Sequence, residues 1–162
     1  MAAGQLTLGA NLPELYDQAV ILFAYACLFL ISLAAATVLP LQSEAALVGL
    51  LLVDYSPWLL LLTASVGNIL GSTINWMLGR AIERLGSRSW FPATGAMLDR
   101  AQQWYRRYGR WSLLLSWVPV IGDPLTVVAG VLRESLPVFL LLVTIAKIGR
   151  YLVLIAATLW FY

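Results

Sequence analysis

The sequence predicts an all-α integral membrane protein of about three transmembrane helices and two re-entrant hairpins, and three observations carry that reading. Of 162 residues, 61% are hydrophobic and 11% charged, with a mean hydropathy of +0.85. A soluble domain carries about 25% charged residues, so this chain has too little polar material to cover a water-facing surface. Three apolar stretches reach the length of about 20 residues that a hydrocarbon core of about 30 Å requires. Two further stretches are too short or are broken by proline. The whole chain, 1–162, reads as a single membrane domain.

The first span is expected over 19–39. Glu14 and Asp17 precede it without any Lys or Arg, so the basic region of a signal peptide is lacking and the stretch is read as retained. Next, 40–56 is read as a re-entrant hairpin. Its apolar run from Leu41 to Val53 would reach only about 20 Å as a helix at about 1.5 Å per residue. Gln42, Ser43 and Glu44 stand near its start and Asp54 just past its end.

The second span, 57–80, carries Gly67, Gly71, Asn75 and Gly79 in steps of four and ends in Arg80. Such a stripe lets another element approach closely; the amides of Asn68 and Asn75 lining a polar path is the alternative. A basic loop follows over 81–110. Arg84, Arg88, Arg100, Arg106, Arg107 and Arg110 outnumber Glu83 and Asp99 there, which marks the cytoplasmic side. Within it Met97, Ala101, Trp104, Tyr105 and Tyr108 fall at helical spacing opposite Arg100, Gln103, Arg106, Arg107 and Arg110. An amphipathic helix lying on the membrane surface is expected, with topology setting and lipid-headgroup contact both open as its role.

The stretch 111–133 is long enough to cross, but Pro119, Gly122, Asp123 and Pro124 break its middle. Proline removes a backbone donor and clashes with the preceding turn, and non-helical backbone at membrane depth survives only where protein covers it or water reaches it. A second re-entrant hairpin is predicted. The last span, 136–162, contains Lys147, Gly149, Arg150 and Tyr151 in an otherwise apolar helix. An internal cation needs a partner or water, so Lys147 is expected to answer Glu44 or Asp123, to bind phosphate, or to snorkel. The tryptophans fall mostly near span ends, where aromatic belts are expected.

Two topologies keep the basic loop in the cytoplasm. If both broken stretches dip in and return, the N-terminus is cytoplasmic and the C-terminus is outside. If both cross fully, the two ends exchange sides. The shortness of the run from Leu41 to Val53 favours the first.

Enzymatic chemistry finds little material. There is no His, and Cys27 is the lone thiol, which removes the commonest general base and any disulfide or zinc cluster. No cofactor, metal site or catalytic residue is assigned. The net charge of +2 is uninformative as a total, so partners are read from where the charges sit; no nucleic-acid partner is assigned. The informative feature is an internal echo. Pro40-Leu41-Gln42-Ser43-Glu44 and Pro119-Val120-Ile121-Gly122-Asp123 each set a small residue and then an acid after proline. Corresponding broken segments in two halves point to an inverted-repeat transporter whose site lies where the breaks meet.

Ser43 and Asp123 are candidate caps of half-helices, the second beginning with Pro124. The N–H groups exposed there attract anions such as phosphate. Glu44 and Asp123 are the candidate transport and gating residues, since an acid inside a membrane is a functional hypothesis by default. Ser43, Pro40, Pro119, Gly122, Pro124, Asn75, Arg80 and Lys147 are the candidate groove or headgroup residues.

The order of a Pro-x-x-small-Glu hairpin, the span from Gly67 to Arg80 and a Pro-rich hairpin closing on Val128-Ala129-Gly130 resembles the DedA family, also called the SNARE-associated or VTT superfamily. The run from Arg107 to Pro124, with Ser116-Trp117-Val118-Pro119 inside it, is similar to the YqaA-type branch. The resemblance covers about residues 33–151. It implies two facing re-entrant hairpins and movement of phospholipids, or of undecaprenyl phosphate, between leaflets. Where many relatives read Pro-Gly-Glu, this chain has Gln42-Ser43-Glu44. Where they often carry Asp after the second glycine of the span, it has Ser72. The arginines that typically flank the second hairpin's proline in the larger branch are Ser116 and Gly122 here, which leaves two alternatives: phosphate binding by other residues such as Lys147 or Arg133, or a preference for a different headgroup.

Together these readings predict a bacterial-type inner-membrane lipid translocase or scramblase that performs no covalent chemistry. Membrane lipids and protons are its expected partners, and an oligomer is compatible with the sequence. The rivals are a proton- or ion-coupled transporter of a small solute and a non-transporting scaffold.

Overall fold

A computed structural model describes residues 5–37, 42–85, 95–118 and 121–161. The helices are α1 (Gln5–Ala35), α2 (Ser43–Leu51), α3 (Pro57–Leu85), α4 (Gly95–Tyr108), α5 (Gly122–Val131) and α6 (Leu136–Phe161), with a 3₁₀ segment at Gly109–Trp117 between α4 and α5. No strand occurs among the described residues. Three stretches are long and apolar enough to cross a membrane: Leu12–Ala35, Pro57–Ala81 and Leu136–Phe161. The first helix starts and ends earlier than the sequence suggests, and α3 runs five residues past the expected boundary, to Leu85. Its continuation past Arg80 is polar, so helix extends beyond the apolar run that alone defines a span.

The two short helices are built alike. Each is followed by a turn in which a non-glycine residue takes a positive φ, Asp54 at 62° and Arg133 at 56°. The next amide then reaches back to close the helix end, Tyr55 N–H donating to Leu50 O at 3.2 Å and Glu134 N–H to Ala129 O at 2.9 Å. This is a Schellman closure, which satisfies carbonyls the helix end would leave bare. A serine carbonyl then starts each long helix: Leu60 N–H donates to Ser56 O and Phe139 N–H to Ser135 O, both at 3.0 Å. The same sequence interval separates Glu44 from Asp123, Asp54 from Arg133 and Ser56 from Ser135, so the echo extends from sequence into backbone hydrogen bonding.

Close packing comes from glycine where backbones meet. A Cβ on Gly67 or Gly71 would strike the Phe29 and Leu33 carbonyls of α1. Gly79 faces the Val127 carbonyl of α5, and reciprocally Gly130 of α5 faces the Trp76 carbonyl of α3. The small-residue stripe is thus divided between two partners, α1 and α5. Lipid tails are as apolar as leucine, so association in the membrane relies on such contact more than on water exclusion.

Two apolar clusters result. Leu28, Leu47, Leu51, Leu60, Ala64, Tyr151 and Ile155 surround α2. Trp76, Leu113, Leu125, Val128, Phe139 and Val143, among others, surround α5. Following α3 from Leu60 to Trp76, or α6 from Phe139 to Ile155, the chain passes from one cluster to the other through a buried polar layer of Asn68, Ser72, Asn75 and Lys147. Trp76 departs from the belt expectation: it is buried, its ring lies against Phe139, and the Arg80 guanidinium sits 4.9 Å above it. Trp58, Trp111 and Trp160 are exposed. Trp90 lies outside the described residues.

On α4, Tyr105 is buried while Trp104, Tyr108, Arg100, Arg106 and Arg107 are exposed. The side chains of Met97 and Ala101 lie outside the described residues. Tyr105 Oη donates to Glu134 Oε2 at 2.5 Å, which ties α4 to the turn between α5 and α6. Burial, reinforced by the Glu134 carboxylate, pushes the Tyr105 phenol well above its ordinary value, because the anion would lose water and face another negative charge.

Candidate functional site

The polar layer is assembled from three directions. α2 brings Ser43 and Glu44 in its first turn, α5 brings Gly122 and Asp123 in its first turn, and α6 supplies Lys147, Arg150 and Tyr151. Residues three and four apart share a helix face, so the two cations and the phenol line one side of α6. The acid of each short helix meets one of these cations. Arg150 Nη2 forms an ion pair with Glu44 Oε1, and Lys147 Nζ donates to Asp123 Oδ1 at 3.1 Å. The Lys147 side chain is 2% exposed and that of Asp123 28%, so the pair sits with its cation inside and its carboxylate at the rim. Burial this complete shows pairing, not snorkelling, for Lys147.

Neutral groups complete the layer. Ser43 Oγ and Tyr151 Oη lie 3.0 Å apart, and Asn68 Nδ2 donates to Tyr151 Oη at 2.9 Å. Because Tyr151 accepts from Asn68, its own proton is available to Ser43. One helical layer away, Asn75 Nδ2 donates to Ala36 O at 2.7 Å and to Thr126 Oγ1 at 3.3 Å, while Thr126 Oγ1 donates to Asp123 O at 2.6 Å. The two asparagines of α3 are therefore each wired to one short helix.

The capping expectations are corrected here. α2 begins at Ser43 with Gln42 preceding it, α5 begins at Gly122 with Ile121 preceding it, and neither start has a side-chain cap bond. Tyr151 recruits the Ser43 hydroxyl. Lys147 recruits the Asp123 carboxylate, and a charge-assisted bond outweighs a neutral cap. Pro124 is buried in the first turn of α5, and Gly122 packs on the Ser116 carbonyl, leaving no room for a Cβ. Gly122 thus serves the close approach of backbone at this point. Arg80 is not brought to the acids. It lies on α3 roughly 18 Å along the axis from Asn68, at about 1.5 Å per residue, and engages Trp76. Pro40 and Pro119 lie outside the described residues.

Arg150, Tyr151 and Thr126 are the members of this layer that sequence reasoning left without a role. The signal was available for Arg150: it stands three residues from Lys147 in an apolar helix, and two cations on one face match two separate acids in number.

The family described as VTT domain matches residues 39–158. The chain is 41% identical over 132 residues to a protein of Escherichia coli (strain K12) called inner membrane protein YqaA, covering 81% of this chain and 88% of that one. The Shigella flexneri protein of the same name gives the same figures. A Haemophilus influenzae protein described as uncharacterized is 33% identical over 136 residues, covering 79% of this chain and 83% of the relative. No solved structure matches.

Proposed function

This chain belongs to the VTT domain (DedA) family and is a multi-pass protein of the bacterial inner membrane, and from that premise we propose that it moves lipid headgroups between leaflets through the polar layer. The observation that carries the reading is the meeting of two short-helix acids with two cations on one face of α6. In this reading α2 and α5 with their turns are re-entrant hairpins in an inverted repeat. The support for it is the shared turn geometry and the opposite order in which α3 and α6 traverse the two apolar clusters.

A phosphate-bearing headgroup crossing hydrocarbon needs a continuous substitute for water. Lys147 and Arg150 supply the charge complement of a phosphate, and Ser43, Asn68, Tyr151 and Thr126 supply hydrogen bonds beside it. While both carboxylates are ionised they occupy the cations. Protonation of Glu44 or Asp123 discharges one pair and frees its cation for phosphate, so proton uptake and headgroup entry are alternatives at the same group. No bond of the lipid is made or broken.

The test is leaflet exchange of fluorescent phosphate-bearing lipids in liposomes holding the purified protein and no added solute. Acceleration over empty liposomes is expected, and Glu44→Gln or Asp123→Asn, each leaving a cation that no carboxylate can reclaim from the phosphate, should weaken it when compared at equal amounts of folded protein. Exchange indistinguishable from empty liposomes between about pH 5.5 and 8.5, a range spanning environment-shifted carboxyl titrations, removes lipid movement and leaves solute transport through the same pairs.

A further inference from the structure

α4 has one anchored side and two unlike flanks. Its anchor is Tyr105, buried in the apolar cluster around α5 and bonded through its hydroxyl to Glu134. Glu134 stands just before Leu136, where the third span begins, and Phe139 from the first turn of that span lies in the same cluster as Tyr105. The anchor therefore holds α4 at the depth of a span end, where hydrocarbon gives way to headgroups.

Successive side chains of an α-helix stand about 100° apart, so Trp104 and Arg106 leave Tyr105 on opposite flanks. The Trp104 flank runs through Arg100, Trp104, Arg107 and Tyr108, an i, i+4, i+7, i+8 stripe on one face. All four are exposed, Trp104 to 41% and Tyr108 to 49%. The two rings lie 5.5 Å apart, and the Arg107 guanidinium sits 5.7 Å from the centre of the Tyr108 ring. Aromatic and cationic groups thus form one continuous patch. Among the described residues no ion pair takes Arg100, Arg106 or Arg107. By spacing, Asp99 falls with Arg106 on the other flank, so the Trp104 flank carries charge of one sign only.

We propose that this flank of α4 is a docking surface for phospholipid headgroups of net negative charge in the surrounding leaflet. Trp and Tyr rings favour the level of the headgroups, where their apolar bodies leave water and their polar edges do not. Arginine stems lie along apolar surface while the guanidinium reaches outward, which brings Arg100 and Arg107 to lipid phosphate beside the seated rings. A zwitterionic headgroup brings its own cation to a phosphate; two arginines with no acid on their flank favour a lipid that does not. Depth also separates this occupant from a soluble acidic protein, which has no use for aromatic rings at a span end. The patch is distinct from the polar layer around Lys147 and Arg150, and it serves whether or not the protein moves lipid.

The test is photo-crosslinking of the full chain in phosphatidylcholine nanodiscs doped with a headgroup-photoactivatable lipid, either phosphatidylglycerol or phosphatidylcholine, with the labelled peptides located by mass spectrometry. The anionic probe should label α4 several-fold more than the zwitterionic one. An arginine near an anionic surface contributes about fivefold in affinity, so Arg100→Gln and Arg107→Gln should each lower anionic labelling of α4 by about that factor. Arg106→Gln makes the same charge change on the other flank and should leave the labelling nearly unchanged. All three positions are exposed, where substitution has little effect on folding. Equal labelling by the two probes overturns the proposal. So does an equal fall for Arg106→Gln and Arg107→Gln, which is general charge attraction without a docking face. If neither probe labels α4, the lipid reading also falls and the flank is left to a soluble acidic partner. Labelling is read on α4 and not as leaflet exchange, so failure here leaves the proposed function standing.

Discussion

Lys147, in the middle of the last helix, donates to Asp123 at the start of α5 across 3.1 Å, with the lysine side chain 2% exposed. Three residues further on, Arg150 does the same for Glu44 of α2. One helix thus supplies the counter-ions for both short helices. The arrangement makes α6 the element on which the positions of α2 and α5 depend together.

Removing one member of the inner pair strands a buried charge. Asp123→Asn leaves the Lys147 ammonium without its partner and should destabilise by about 3–5 kcal/mol, the usual result of breaking a buried pair from one side. Adding Lys147→Met to that variant should restore a large part of the loss. Thermal unfolding in detergent reads both; a double variant no more stable than Asp123→Asn would show that the pair carries no such cost.

Glycine positions separate close approach from mere flexibility. Gly79→Ala and Gly130→Ala each drive a Cβ into backbone across the α3/α5 contact, and overpacking of that kind costs about 1–3 kcal/mol. Gly49 has nothing within 4 Å of a built Cβ. Gly49→Ala should therefore stabilise by about 0.5–1 kcal/mol, because alanine loses less freedom in a helix. Equal melting temperatures for the two classes would count against the tight α3/α5 crossing.

The Tyr105–Glu134 bond predicts an alkaline limit. The phenol is raised above its ordinary value of 10.0 in the folded protein. Folding therefore favours the protonated form, and the contribution is fully present below that ordinary value and lost as the pH rises through the raised one. Thermal stability should show a tyrosine-dependent fall only above about pH 10, and Tyr105→Phe should remove that component while lowering stability at neutral pH by about 1 kcal/mol. A fall that persists unchanged in the phenylalanine variant assigns it to another group.

With three crossings and the basic loop in the cytoplasm, the two ends are expected on opposite faces. With Cys27 replaced by serine, single cysteines introduced at Glu14 and Ser87 should be shielded from a membrane-impermeant thiol reagent in intact cells, and one at Trp160 should react. Reaction at Glu14 instead would mean that the two short helices cross the membrane.

Much of the scaffold was legible in the sequence because membrane insertion depends on local composition. α1, α3 and α6 each present about 20 apolar residues, and that length alone meets the bilayer. The short helices were legible for the same reason in reverse, since the run after Pro40 is too short and proline breaks the run before Asp123. Their acids and the interval that relates them could be counted. Partnership could not. Whether Lys147 meets Glu44, Asp123, phosphate or the interface depends on how α5 is seated against α3, and that seating is set by Gly79 and Gly130, whose contacts are with backbone far away in the chain. Ser43 and Asp123 have the residue types of helix caps, yet their bonds go to Tyr151 and Lys147, because a tertiary neighbour with a proton or a charge outbids a local amide. Composition and periodicity determined which segments enter the membrane; only the folded chain decided which buried polar group answers which, since that choice is made by distances of a few ångströms between helices that no local pattern encodes.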